Sequence, residues 1–124
     1  MKKWIIILLI MALSGCGVKE DELPELIEVK FRTNPEEIKI NEEVQLVATV
    51  VQGKEQVDDA SKVQFELWKE GTSEDQHLKL STKHQKDGIY IVKYTFEEPG
   101  KYYIISHTTA RGLHVMPKNE FIVK

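Results

Sequence analysis

Gly88-Ile89-Tyr90-Ile91-Val92-Lys93-Tyr94-Thr95-Phe96 is the stretch that decides the fold. Tyr90, Val92, Tyr94 and Phe96 occupy alternate positions, so an extended chain turns all four to one face. Lys86-Asp87-Gly88 before it and Pro99-Gly100 after it are turn sequences. Beyond that turn, Tyr102 to Thr109 reads as a second long strand. Arg111-Gly112 then turns the chain into a last strand ending Phe121-Ile122-Val123. Upstream the rhythm persists. Leu26 to Thr33 is broken by Asn34-Pro35, and Glu37 to Ile40 is a brief extended piece. Val44, Leu46, Ala48 and Val50 alternate with Gln45, Val47, Thr49 and Val51, a strand buried on one face and partly on the other. Gln52 to Ser61 is a polar loop. Val63, Phe65 and Leu67 then alternate with Gln64, Glu66 and Trp68, Gly71 to Asp75 turns, and Leu78 and Leu80 mark a shorter strand ending near His84. No stretch shows a 3.6-residue apolar period, so little or no helix is expected. Seven to eight short strands in one domain predict an all-β, immunoglobulin-like antiparallel sandwich. Gly88-Ile89-Tyr90 and Gly100-Lys101-Tyr102 fit the two long strands that flank a corner of such a sandwich.

The chain starts differently. Lys2 and Lys3 precede an unbroken apolar run from Trp4 to Leu13, followed by Ser14-Gly15-Cys16. A charged start, a short apolar segment and small residues before a cleavage point are the layout of a secretory signal. The run is far short of the roughly 20 residues that span a bilayer. Leu13-Ser14-Gly15-Cys16 resembles the lipobox of bacterial lipoproteins. That resemblance implies cleavage after residue 15 and a diacylglycerol on Cys16, tethering the protein to the outer leaflet of the cytoplasmic membrane. The expected organisation is a signal peptide over 1–15, the lipidated cysteine and an acidic tether over 16–25, and one β-sandwich domain over 26–124.

The remaining 109 residues suffice for one domain and a modest core. Lys2 and Lys3 leave with the signal, so the mature chain balances 15 basic against 20 acidic residues, a net charge of −5. An acidic chain without a basic cluster argues against nucleic acid and against electrostatic binding to anionic lipid. Cys16 is the only cysteine. The mature domain thus has no disulfide and no thiol for catalysis, redox chemistry or metal ligation. Paired acids such as Glu42-Glu43 and Glu97-Glu98 sit beside turns, and strand neighbours point to opposite faces, so such a pair does not act as acid and base together. Trp68 is out of phase with Val63, Phe65 and Leu67. It either packs on the second face or is an exposed binding aromatic.

The mature chain has four histidines, His77, His84, His107 and His114, and one methionine, Met116. A turn over Thr109 to Gly112, with Thr108 opposite Leu113, places His107 directly across from His114. Opposed residues have Cβ atoms about 4.5–5.5 Å apart, within reach of one shared metal ion. Met116, two residues beyond His114, projects from the same face. His84 is a possible fourth ligand if its strand end is near, and His77 a weaker one. Imidazole suits copper, zinc, iron and nickel, whereas a thioether selects Cu(I), so this set favours copper. A shift of hairpin register removes the opposition. The alternative is that the histidines are merely tolerated polar residues on an exposed face.

From about Ile38 to Val123 the chain resembles the YtkA-like domain, related to FixH. The residues behind the resemblance are Ile38-Lys39-Ile40-Asn41-Glu42-Glu43-Val44-Gln45-Leu46, the pair Gly88-Ile89-Tyr90 and Pro99-Gly100-Lys101-Tyr102, and the close His114-Val115-Met116 with Phe121-Ile122-Val123. The resemblance implies a small extracytoplasmic bacterial protein linked to copper handling and cytochrome c oxidase assembly, including delivery to the CuA centre. His114-Val115-Met116 also resembles the end of the motif in periplasmic CuA chaperones, although no mature methionine precedes His114. The expectation is a lipid-anchored, non-enzymatic protein that binds and transfers Cu(I) to an oxidase subunit or another copper-handling protein. An envelope protein-interaction module without a metal site is the alternative. No Gly-rich phosphate loop, metal-hydrolase spacing or nucleophile elbow points to an enzyme.

Overall fold

The computed structural model describes residues 25–124. The expected signal peptide, Cys16 and the expected tether up to Pro24 lie outside the described residues. Ten strands follow in order: β1 (Ile27–Asn34), β2 (Glu43–Gln52), β3 (Glu55–Gln56), β4 (Lys62–Lys69), β5 (Leu78–Ser81), β6 (Lys83–His84), β7 (Ile89–Thr95), β8 (Gly100–Ala110), β9 (Leu113–Val115) and β10 (Lys118–Val123). The one helical piece among the described residues is a single 3₁₀ turn, Glu74–Gln76.

The strands form two antiparallel sheets. One runs β1-β2-β7-β6 with β3 beside β2; the other runs β10-β8-β4-β5 with β9 beside β8. This is the all-β sandwich expected, and its order is that of an immunoglobulin-like domain. The strand count exceeds the expected seven to eight for two reasons. First, β9 and β10 are one strand of the ladder. Val115 opposes Thr108 and Lys118 opposes Ile105, the same register on both sides of Met116-Pro117, and the Ser106 N–H donates to the Pro117 carbonyl at 3.0 Å. Pro117 has no N–H to give, so the ladder is interrupted there without losing phase. Second, the two-residue β3 is a small hairpin arm on β2. The expected strand ending near His84 is divided: β5 pairs with β4, β6 pairs with β7, and the chain switches sheets between them.

The alternation read from the sequence is the alternation of burial. Val44, Leu46, Ala48 and Val50 are buried on the inner face of β2, and Val47 is buried on its outer face, between Arg32 and Ile91 on the flanking strands. Phe65 and Leu67 on β4 meet Tyr90 and Phe96 from the β7 side and Ile104 on β8 in one core. Towards the β7–β8 corner this core is aromatic. Phe96 meets Tyr102 edge-on with ring centroids 4.8 Å apart, and Tyr102 stacks on Phe121 at 5.9 Å. The Tyr102 hydroxyl donates to the Glu98 carbonyl at 2.7 Å, closing the corner that Gly100-Lys101-Tyr102 foreshadowed.

At the opposite end the hairpins close tightly. Arg111 and Gly112 both have positive φ, 52° and 77°, as a two-residue hairpin turn requires. Arg111 then reaches across that end to Gln52, Glu55 and Asp59, at 2.9, 2.7 and 3.2 Å. Gln52 also donates to the Glu25 carbonyl, at 2.9 Å, so the start of the domain is fastened to the same end.

Candidate metal centre

Strand pairing decides which polar side chains share the outer face of the β10-β8-β4-β5 sheet. On β4 the buried residues are Val63, Phe65 and Leu67, which turns Gln64, Glu66 and Trp68 outward. On β8 burial of Tyr102, Ile104, Ser106, Thr108 and Ala110 turns Tyr103, Ile105, His107 and Thr109 outward. His114 lies opposite Thr109. The continuous register of β9 and β10 sets Met116 opposite His107.

His107 therefore does not face His114 directly, as the longer turn predicted. The turn is two residues, Arg111 and Gly112, not four, and the pairing is displaced by two positions. Because the displacement is even, each side chain keeps its face. The two imidazoles end as diagonal neighbours, with ring centroids 6.2 Å apart and planes inclined by 29°. Met116, 52% exposed, occupies the register position opposite His107 on the same face.

Glu66 is the residue that sequence reasoning missed. Its carboxylate takes His77 Nδ1 at 2.6 Å and His107 Nε2 at 2.8 Å, one oxygen each. These hydrogen bonds, His77 first and His107 second, hold the Glu66 carboxyl below its ordinary value near 4.5. An ionised carboxylate only accepts, so both facing nitrogens carry the proton. In the neutral ring the lone pair of His107 is then on Nδ1 and that of His77 on Nε2. His114 Nδ1 lies 2.8 Å from the Thr109 hydroxyl. The tautomer in which this nitrogen donates to Thr109 leaves Nε2 of His114 free to bind a metal. Alternation alone put Glu66 outward. Its neighbours come from β8 and from the 3₁₀ turn before β5, and no local pattern announces those pairings.

His77 joins the cluster through Glu66 and also packs flat against Trp68, with ring centroids 4.1 Å apart and planes within 6°. Trp68 stacks further on Tyr103 at 5.6 Å, and the Lys118 ammonium lies over both rings. Trp68 is thus packed on the second face of β4. His84 is not part of this face. It lies in the other sheet, where Nε2 meets Asp58 Oδ1 at 2.8 Å and the ring lies against Tyr90. The same Asp58 oxygen accepts the Gly88 N–H at 2.6 Å, so His84 ties down a loop. His84 as fourth ligand is corrected on this ground. The switch of sheets between β5 and β6 carries it away.

Among the described residues no three His, Cys, Asp or Glu side chains stand close enough to hold one metal ion. A metal here depends on the thioether. The side chains that could supply such donors are the imidazoles of His107 and His114 with the sulfur of Met116, and a set of that softness would suit Cu(I) rather than Zn(II).

A family model described as YtkA-like matches residues 22–107, more than two thirds of the chain. The chain belongs to the YtkA-like family. Within the YtkA-like segment lie Glu66, His77, Trp68 and, at its last residue, His107; His114 and Met116 follow it. No curated protein sequence matches the chain. Among solved structures, the PmoD soluble domain from Methylocystis sp. ATCC 49242 (Rockwell) superposes with a TM-score of 0.54 at 15% identity. The match covers 81% of this chain and 92% of that one. At that identity the likeness is one of fold.

Proposed function

We propose that this YtkA-like protein is a lipid-anchored, extracytoplasmic copper protein that binds Cu(I) through His107, His114 and Met116 and passes it to a membrane-associated acceptor. The observation that carries the reading is the gathering of these three donors on one face beside the β8–β9 turn, with Glu66 orienting His107. The metal, when bound, supplies the transferable cargo; the chain supplies donor choice and access. Two imidazoles and one thioether on an exposed surface leave room for an incoming ligand to take the ion stepwise. Family membership supports a copper role, and oxidase assembly, with the CuA centre as acceptor, is the destination the resemblance implies. The lipobox-like Leu13-Ser14-Gly15-Cys16 supports the anchor.

One observation favours a second reading. Glu66 engages His77 and His107 at once, a self-satisfied polar cluster that an interaction module without metal also accommodates. A Cu(I) titration of the chain from Gly17 onward, competed against a chelator of known affinity, separates the two. One tight equivalent is expected, lost in His114→Ala. Met116→Leu should weaken Cu(I) far more than Cu(II), because a thioether discriminates between them. Weak, non-stoichiometric binding leaves the interaction module.

A further inference from the structure

Resting on the lipid anchor and copper reading above, we infer that the metal face works close to the membrane, and that its partner is a membrane-anchored protein whose metal-receiving site stands low over the bilayer. The inference comes from where the chain joins the sandwich. Glu25 is fastened to Gln52, Gln52 to Arg111, and Arg111 to Glu55 and Asp59, so the start of β1, the β2–β3 hairpin and the β8–β9 turn form one end of the molecule. His114 is two residues from Gly112 and pairs with Thr109, so the metal donors lie towards that end of their sheet. The β7–β8 corner and Lys124 lie at the other end, a strand length away: β2, which connects the two, has ten residues and spans about 33 Å.

The nine residues from Gly17 to Glu25 set the reach. Fully extended they span about 30 Å, and less in any other state. The tether therefore keeps the donor-bearing end of the sandwich within about 30 Å of the bilayer, whereas the far end ranges out to roughly twice that distance. Charge does not flatten the domain on the lipid. From Gly17 to Glu25 the acids Glu20, Asp21, Glu22 and Glu25 outnumber the single Lys19, and Arg111 at this end is already paired with two carboxylates. A domain whose donor-bearing end is held near the surface presents His107, His114 and Met116 to a receiving site at similar height. Confinement to that layer raises the effective concentration of donor and acceptor without further contacts.

The test uses the full lipidated chain in phosphatidylcholine vesicles. With Cys16 acylated, a thiol introduced by Lys54→Cys at the β2–β3 turn or by Glu97→Cys at the far corner is the only free one and takes a donor dye. Energy transfer to a headgroup-labelled acceptor lipid should be several-fold stronger from position 54 than from position 97. Equal transfer, or stronger transfer from position 97, overturns the orientation. Mass analysis of Cys16 precedes it, and an unmodified cysteine overturns the premise of the tether. A second variant carries four Glu-Ala-Ala-Ala-Lys repeats before Glu25, a spacer of about 30 Å where helical. It should keep the Cu(I) affinity of the wild type and deliver Cu(I) several-fold more slowly to a chelator coupled to lipid headgroups. Unchanged delivery overturns the proximity argument even if copper binding stands. Loss of Cu(I) binding by the unaltered chain overturns the copper reading and leaves the orientation result intact.

Discussion

Glu66 shows what a single side chain adds to the proposed site of imidazoles and sulfur. Its two hydrogen bonds lock two rings at once, and an ionised carboxylate fixes which nitrogen of each ring is free. Partners of this kind around metal-binding histidines usually account for 10–100-fold in affinity. Glu66→Gln should accordingly lower Cu(I) affinity by roughly 10–100-fold while the far-ultraviolet circular dichroism stays that of wild type. The same substitution has a pH signature. The folded protein holds the Glu66 carboxyl below its ordinary 4.5, so the stability it contributes is fully present above that value and is lost as pH falls through the lower folded value. Denaturant midpoints of wild type measured from pH 7 downwards should fall on acidification below about 4.5. In Glu66→Gln part of that acid slope should disappear, the remainder belonging to other depressed carboxylates such as Asp58 and Glu55. An unchanged slope would show that Glu66 is not linked to folding. The alternation that turns His107, His114 and Met116 to one outer face was legible in the sequence, whereas their direct opposition was not. The role of Glu66 was not, because a carboxylate facing outward on a strand looks like any solvated acid until its cross-strand neighbours are known.

At the scale of elements, the strands were legible and their registers were not. Tyr90, Val92, Tyr94 and Phe96 announce β7 because burial on one face imposes a period of two, and that period is local. The pairing of β8 with β9 depends on whether the turn takes two residues or four, which the side chains of Thr109 and Ala110 do not decide. The backbone decides it: Arg111 at φ 52° and Gly112 at φ 77° form a turn whose twist matches the strands it joins. The same geometry makes Gly112 a sensitive position, although a side chain there meets open space. Gly112→Val forces a β-branched residue to positive φ and should cost about 1–3 kcal/mol in denaturant unfolding. Gly112→Asn, which tolerates the left-handed region, should cost much less. If both variants lose the same amount, crowding rather than backbone conformation controls the turn. Copper affinity should follow stability in this pair, since the turn holds His114 opposite Thr109 and sets its distance from His107. Likewise the sheet switch between β5 and β6 was invisible in Leu78 to His84, and it is what carries His84 away from the face that holds His107 and His114.

The whole molecule joins these pieces in one cooperative unit. Its core is shared by both sheets, it contains no disulfide because Cys16 is the only cysteine, and the proposed metal donors come from the two strands of a single hairpin. A ligand that binds only the folded state stabilises it by mass action, by about 2.7 kcal/mol when its free concentration is 100 times Kd. The donors His107 and His114 belong to β8 and β9, and β8 is paired on its other side with β4 at the centre of the sandwich. Opening the hairpin therefore separates the donors and exposes the core in the same event. Trp68 offers a direct probe, being the only tryptophan among the described residues and linked to His107 through His77 and Glu66. Unfolding followed by Trp68 fluorescence and by circular dichroism should give coincident curves, as a two-state domain requires. Both should shift together to higher denaturant when Cu(I) is buffered at 100 times Kd under reducing conditions. The shift should vanish in His114→Ala, while its metal-free midpoint stays near that of wild type because His114 is exposed and buries nothing in the core. A Cu(I) shift that survives in His114→Ala would place the metal elsewhere, and one seen by fluorescence alone would mean that the outer face melts separately from the sandwich beneath it.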